Sequence, residues 1–296
     1  MPGSWPDSYG SEARPRVGFF TDTSICIGCN ACEVACKEWN RVPDSMQGLS
    51  GKSYDNTLAL GANTWRHVAF VEQRKPLGAE GAAESLLEVA ERQNAVDGFG
   101  LQTYQDGEGV RWLMASDVCK HCTSAACLDA CPTGALFRTE FGTVVVQEDV
   151  CNGCGYCVPA CPFGVLDQRE DDGRVWKCTL CYDRLKDDKE PACAQACPTD
   201  SIQFGELSEL RARADERLRR LSEAGAAEAR LYGADDEDGV DGFGAFFLLL
   251  DEPEVYGLPP DPVVTTRHVG QVWVGVLAGA AALGAGILSV FVGARR

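Results

Sequence analysis

Sixteen cysteines fall into four groups of four, and none lies outside them. Cys26, Cys29, Cys32 and Cys36 are spaced C-x2-C-x2-C-x3-C. Cys151, Cys154, Cys157 and Cys161 repeat that spacing, with Pro162 directly after it. Cys119, Cys122, Cys127 and Cys131 read C-x2-C-x4-C-x3-C-P, and Cys178, Cys181, Cys193 and Cys197 read C-x2-C-x11-C-x3-C-P. An even count permits eight disulfides, but disulfide frameworks belong mostly to small secreted domains. The first residues, MPGSWPDSYG, carry neither a positive n-region nor an apolar h-region, so no signal peptide is expected. The thiols therefore read as metal ligands.

The spacing chooses the metal centre. A cubane cluster has four iron corners, each needing one thiolate, and three cysteines two residues apart let one short loop curl around three corners. Gly153 and Gly155 in CNGCGYC let the backbone approach closely and take up positive φ. The fourth cysteine lies beyond the loop, where a short helix begins, and in two-cluster ferredoxins it serves the other cluster. A proline after it fixes the chain direction. Four-cysteine zinc ribbons use two C-x2-C knuckles and have no use for a third cysteine two residues on, nor for the trailing C-x3-C-P. A membrane-tethered zinc or purely structural scaffold remains the alternative of another class, and visible absorption from sulfur-to-iron charge transfer separates the two.

Four such groups form an internal repeat, which predicts two ferredoxin-like units. VGFF (17–20), TVVVQ (143–147) and SIQFG (201–205) predict short strands beside cysteine loops. ACEVACKEWN (31–40) and the stretch after Cys193 predict single helical turns. The expected class is α+β, held together largely by its metals, with one C-terminal transmembrane helix. Aspartate and glutamate outnumber lysine and arginine 44 to 27, a net charge of −17, which excludes nucleic acid as a partner.

The uncharged run from Val272 to Gly293 is 22 residues long, about 33 Å as a helix, enough to cross a lipid bilayer. Trp273 suits one interface and Arg295 with Arg296 the other. Gly275-x3-Gly279 and Ala280-x3-Gly284 allow close packing against another membrane helix. The helix contains no histidine and cannot ligate haem. The terminal arginine pair, against Arg267 on the other side, predicts a single pass through the cell membrane with a cytoplasmic C-terminus. The cysteine domain then lies on the outer, extracytoplasmic face. LSELRARADERLRRLSEA (207–224) predicts a surface helix with one apolar stripe, available to a partner or to lipid head groups through its arginines. GADDEDGVDGFG (233–244) reads as a loop and DEPEVYGLPPDP (251–262) as extended, because its prolines oppose helix.

CKHCTSAACLDACPTGALF, CNGCGYCVPACPFGV and GRVWKCTLCYDRLKDDKEPACAQACPTDSIQFGE resemble the four-cluster iron–sulfur subunits of the molybdopterin oxidoreductases. Within that group the sequence most resembles the beta subunits of membrane-bound respiratory formate dehydrogenases. The resemblance covers 17–206 and continues weakly through RLYG (230–233) and PEVYGLPPDPVV (253–264) into the terminal helix. It sets the expected organisation: a tail over 1–16, a double ferredoxin-like domain over 17–206, a surface helix and extended linker over 207–266, and an anchor over 267–296. The stretch 76–110 matches no family motif and reads as an insertion.

The resemblance implies four [4Fe-4S] clusters and a particular pairing. Cys26, Cys29, Cys32 and Cys197 hold one; Cys178, Cys181, Cys193 and Cys36 a second. Cys119, Cys122, Cys127 and Cys161 hold a third; Cys151, Cys154, Cys157 and Cys131 a fourth. It implies a non-catalytic subunit carrying electrons from a molybdopterin (molybdenum or tungsten) formate-oxidising subunit to a membrane cytochrome b or quinone-reducing subunit. It also implies export in the folded state with a partner that carries the twin-arginine signal. The alternative keeps the same wire in a hydrogenase, a thiosulfate or polysulfide reductase, or a sulfoxide reductase. Lys120 and Lys177 flank cysteines, where positive charge favours a reduced cluster, but the default expectation is a solvated side chain or a partner contact. His121, inside a C-x2-C loop, is expected beside the site and not as a ligand.

Overall fold

The computed structural model describes residue 9 and residues 14–44, 51, 54–55, 57–73, 111–236 and 238–293. The expected insertion over 76–110 and most of the expected tail over 1–16 lie outside the described residues.

The three sequence-predicted strands form as β1 (Val17–Asp22), β5 (Val144–Val146) and β8 (Ile202–Glu206). Between them lie β2 (Arg66–Gln73), β3 (Arg111–Val118), β4 (Leu136–Arg138), β6 (Asp167–Gln168) and β7 (Val175–Trp176). β9 (Arg230–Tyr232) and β10 (Ala245–Leu249) follow. β2 with β3, β4 with β5 and β6 with β7 are separate antiparallel pairs. The fourth sheet has the order β8-β1-β10-β9. In it β1 runs antiparallel to β8 and parallel to β10, with Phe19 opposite Ala245 and Phe20 opposite Phe246.

β9 and β10 fall inside 207–266, the stretch expected to be a surface helix and an extended linker. AFFLL is buried at every position, so it shows none of the alternation that marks a half-exposed strand. The sheet divides two cores. Phe19, Ile202 and Ala245 belong to the core that contains the cysteines. Phe20 and Phe246, stacked at 5.3 Å, pack with Leu207, Leu210, Ala214 and Leu221. Those last four residues form the buried stripe of the Leu207–Glu223 helix.

The helices are α1 (Ala31–Asn40), α2 (Ala126–Asp129), α3 (Cys157–Ala160), α4 (Tyr182–Lys186), α5 (Ala192–Gln195), α6 (Leu207–Glu223) and α7 (Val269–Gly293). α1 is longer than the single turn expected. It buries Cys32, Glu33 and Cys36 and closes on Arg41, in the left-handed region at φ 50°, whose N–H bonds to the Lys37 carbonyl. The arginines of α6, offered in sequence to a partner or lipid, are engaged within the protein: Arg211 with Asp236, Arg217 with Asp22, Arg219 and Arg220 with Glu216. In DEPEVYGLPPDP a single 3-10 turn forms over Pro253–Tyr256. The proline stands in its first turn, where a missing N–H costs nothing.

α7 includes a 20-residue stretch, Val269–Leu288, of mean hydropathy 1.8 and buried nowhere along its length. Among the described residues it is the one helix long and apolar enough to cross a membrane. Its base is fastened to the cysteine domain. Thr265 Oγ1 donates to the Ala160 carbonyl at 3.0 Å, Thr266 Oγ1 to Asp129 at 2.8 Å, and Arg267 pairs with Asp241 at 2.8 Å.

Candidate metal centres

Each C-x3-C step sits at a helical turn: Cys32 and Cys36 on α1, Cys127 and Cys131 around α2, Cys157 and Cys161 at the start and just past the end of α3, Cys193 and Cys197 around α5. Four residues advance a helix by about one 5.4 Å turn, so the second thiol of each step lies on the same side but one turn further along, within reach of a different set. The sixteen thiols then gather across the sequence groups. Cys26, Cys29, Cys32 and Cys197 line one small cavity, together with Val68, Ser116 and Ile202. Cys131, Cys151, Cys154 and Cys157 line a second, with Thr133, Val146 and Val175. Cys36 lies beside Cys178, Cys193 and Cys181. Cys122 lies beside Cys119, Cys127 and Cys161. We number these gatherings the first, fourth, second and third sets in that order.

The loops owe their curvature to backbone chemistry. Gly153 and Gly155 adopt φ of 71° and 73° as expected. A Cβ on Gly153 would fall 2.4 Å from the Gly173 carbonyl oxygen, so glycine is needed there on two counts. Gly28, at φ 63°, faces Phe70 and Met114 at nearly the same closeness.

Burial dominates the thiol chemistry. It pushes Cys32, Cys127 and Cys178 up to about 12 and Cys157 and Cys181 up to about 11, with neighbouring thiolates adding to the effect. Cys131 is the contrast. Its slight burial is outweighed by the backbone N–H groups of Leu136, Thr133 and Ala135 and by the Thr133 hydroxyl, and its thiol is lowered. Four buried thiols do not ionise together without a compensating cation, and iron supplies that charge. All-sulfur sets of four, lined by small and apolar side chains, fit the ligand demand of a cubane cluster.

The sets are neighbours in a row. After burial, Cys193 acts on Cys32, joining the first set to the second. Cys119 acts on Cys178, joining the second to the third, and Cys157 acts on Cys127, joining the third to the fourth. Cys29 and Cys154 are the two exposed cysteines, one in each terminal set.

Among the basic residues along this row are Lys120 and Lys177, which the sequence marks only by their adjacent cysteines, and Arg66, which it does not mark. Lys120 (0 % exposed) and Lys177 (1 % exposed) are buried, against the expectation of solvated side chains. Lys120 pairs with Asp117 and lies over the rings of Phe163 and Phe247. Lys177 donates to the carbonyls of Val144 and Cys178 and lowers the Cys127 and Cys178 thiols. Arg66, at 2 % exposed, lies between the first and second sets. No motif marks it, and an arginine that opens a strand of otherwise apolar and mixed residues is the only trace it leaves in the sequence. His121 is buried too. Its Nδ1 accepts the Val144 N–H at 3.1 Å, and burial, with Lys177 and Arg138 nearby, drives its pKa well down. A neutral imidazole with one nitrogen engaged by the backbone fits the expected place beside a site.

Comparison with known proteins identifies 4Fe-4S dicluster domains over residues 25–135 and 110–207. The sequence is 36% identical over 292 residues to the formate dehydrogenase, nitrate-inducible, iron–sulfur subunit of Escherichia coli K12, covering 97% of this protein and 86% of that one. It is 34% identical to the formate dehydrogenase iron–sulfur subunit of Haemophilus influenzae, covering 97% and 82%. It is 34% identical over 286 residues to the formate dehydrogenase-O iron–sulfur subunit of E. coli K12, covering 95% and 83%. A component of the anaerobic dimethyl sulfoxide reductase of E. coli K12 is 33% identical over 196 residues, 66% of this protein and 76% of that one.

Proposed function

The protein belongs to the iron–sulfur subunits of formate dehydrogenases, and from that footing we propose that it carries electrons from a molybdopterin-containing formate-oxidising subunit to a cytochrome b or quinone-reducing subunit in the membrane. It is an electron-transfer subunit with four [4Fe-4S] clusters, non-catalytic in itself. When bound, the clusters supply one-electron acceptance and release.

Our reading assigns one cluster to each set: Cys26, Cys29, Cys32 and Cys197; Cys36, Cys178, Cys181 and Cys193; Cys119, Cys122, Cys127 and Cys161; Cys131, Cys151, Cys154 and Cys157. Shared cavities and mutual thiolate influence support it. The polarity of the row follows from the anchor. Thr265 and Thr266 fasten the base of α7 to Ala160 and Asp129, which neighbour cysteines of the third and fourth sets. The fourth set, with exposed Cys154, then serves the membrane partner, and the first set, with exposed Cys29, serves the catalytic partner at the far end. On this reading the cysteine domain lies on the outer face, with Arg295 and Arg296 in the cytoplasm.

The observation that carries formate over the sulfoxide alternative is the extent of similarity, 97% of the sequence against 66%. The test is purification from membranes in mild detergent with all bound partners, followed by formate-dependent dye reduction. Activity with a molybdenum- or tungsten-bearing large subunit is expected. A large subunit that reduces a sulfoxide and ignores formate would overturn the assignment.

A further inference from the structure

Arg66 is planted where two thiolate sets meet. Its Nη2 donates to Cys193 Sγ of the second set at 3.2 Å. Its Nη1 donates to the carbonyl of Ser116 at 3.2 Å and lies 3.4 Å from that residue's hydroxyl. Ser116 Oγ lies in turn 3.2 Å from Cys32 Sγ of the first set. Pairing of β2 with β3, Arg66 opposite Val118 and Val68 opposite Ser116, fixes the two residues in register. The Phe19 ring lies 4.8 Å from the guanidinium and closes its other side.

A buried cation ordinarily pairs with a carboxylate. Arg111 does so with Asp251 and Lys120 with Asp117. Among the described residues no carboxylate pairs with Arg66. Burial opposes its charge, and Cys193, Cys32 and Cys178 outweigh that opposition. Among the described residues the other buried lysines and arginines, Arg111, Lys120, Lys177 and Arg184, donate to carboxylate, carbonyl or amide oxygens. The fork of a guanidinium matters here, since one nitrogen reaches Cys193 while another reaches Ser116; an ammonium offers a single point.

We propose that Arg66 is a positioning residue of the electron path, a fixed positive charge that raises the reduction potentials of the first and second clusters together, the second more than the first. A cluster gains negative charge on reduction, so a permanent cation against its ligand sulfur stabilises the reduced form, and low dielectric amplifies the effect. Cys193 receives a charged hydrogen bond directly, whereas Cys32 receives it through Ser116. The inference rests on the ligand sets proposed above.

The experiment is a redox titration followed by electron paramagnetic resonance on the whole membrane complex carrying R66M, R66K or S116A. In R66M two of four midpoints move to more negative potential. At the original midpoint of the more affected cluster, the reduced-to-oxidised ratio falls at least tenfold, which is 59 mV for a one-electron couple. R66K moves the same two midpoints less, because charge remains and the fork is lost. S116A moves one of the two. Unmoved midpoints in R66M with unchanged iron content overturn the proposal. Should R66M lose iron, R66K and S116A decide, and unmoved midpoints in both overturn it. C193S and C32S keep the two failures apart: if they perturb clusters other than the two that move, the ligand sets are wrong, whatever the Arg66 result.

Discussion

Arg217 on α6 donates from Nε to Asp22 Oδ2 at 2.9 Å and from Nη2 to Ser24 Oγ at 2.9 Å. Asp22 is the buried last residue of β1, and its other oxygen accepts from the Ser24 N–H and hydroxyl. The carboxylate thereby holds the 3-10 turn Thr23–Ile25 that delivers Cys26 to the first set. A helix of the outer core is tied in this way to a cysteine loop on the other side of the sheet.

Replacing Arg217 with methionine strips the buried carboxylate of its cationic partner. The expected cost is about 2–3 kcal/mol, toward the low side for a buried pair because Arg217 is partly exposed. Heating should bleach the visible absorbance sooner, with the first cluster lost before the others. Bleaching at the unaltered rate would show that α6 does not hold the loop.

Gly153 and Gly164 both have positive φ, but only Gly153 has a carbonyl in the path of a Cβ. Gly153→Ala should therefore empty the fourth set, lowering iron from about sixteen per protein toward about twelve. Gly164→Ala should cost about 1 kcal/mol of backbone strain and keep all the iron. Iron and acid-labile sulfide assays distinguish the two, and full iron in Gly153→Ala refutes the requirement.

Lys177 satisfies the Val144 and Cys178 carbonyls and places a charge between the second and third sets. Lys177→Gln keeps a donor and removes the charge, whereas Lys177→Met removes both. Both variants should move midpoint potentials of the two neighbouring clusters negative, seen in the same resonance-monitored titration. Only the methionine variant should lose an additional 1–3 kcal/mol or so from an unpaired buried carbonyl, seen on thermal unfolding.

Asp238 provides the pH test. Burial raises its carboxyl pKa, with Asp241 and Asp235 adding to the effect, while the Val240 and Gly242 N–H groups pull it down. A folded-state pKa above the unfolded one means that the folded protein binds the proton more tightly. The stabilisation is present at low pH and declines as pH rises through the folded value. Asp238→Asn should keep both backbone hydrogen bonds through Oδ1 and be slightly more stable than the parent at pH 7. Solvent screening holds the gain below about 1 kcal/mol. Near pH 4 the advantage should vanish, and a gap in thermal midpoint independent of pH would contradict the assignment.

The cysteine loops were the legible part because their information is local, whereas which distant cysteine joins which loop came from the family resemblance. Two residues between thiols set a loop's curvature, and three set a helical turn, whatever surrounds them. VGFF, TVVVQ and SIQFG were legible as strands for the same reason, being short β-prone runs between breakers. AFFLL was not, because a strand buried on both faces loses its alternation. The β2–β3 pair was hidden by the long stretch between Gln73 and Arg111, which leaves no turn signal joining RHVAFVEQ to RWLMASDV. Lys120, Lys177 and Arg66 were illegible as buried groups because a cation in a sequence carries no mark of its counter-charge. Here that counter-charge comes from carboxylates, carbonyls and thiolates gathered from distant segments.

The parallel pairing of β1 with β10 sets an order for biosynthesis. Residues 17–22 lie at the middle of the main sheet, and their neighbour strand is not made until residue 249 has been translated. Under the proposed ligand sets, the third and fourth sites draw all their cysteines from 119–161. The first and second must wait for Cys197 and Cys193. The ligands of the third and fourth sites thus become available before those of the first and second, and a polypeptide ending before residue 193 would carry a full complement of cysteines for two sites and an incomplete one for the other two.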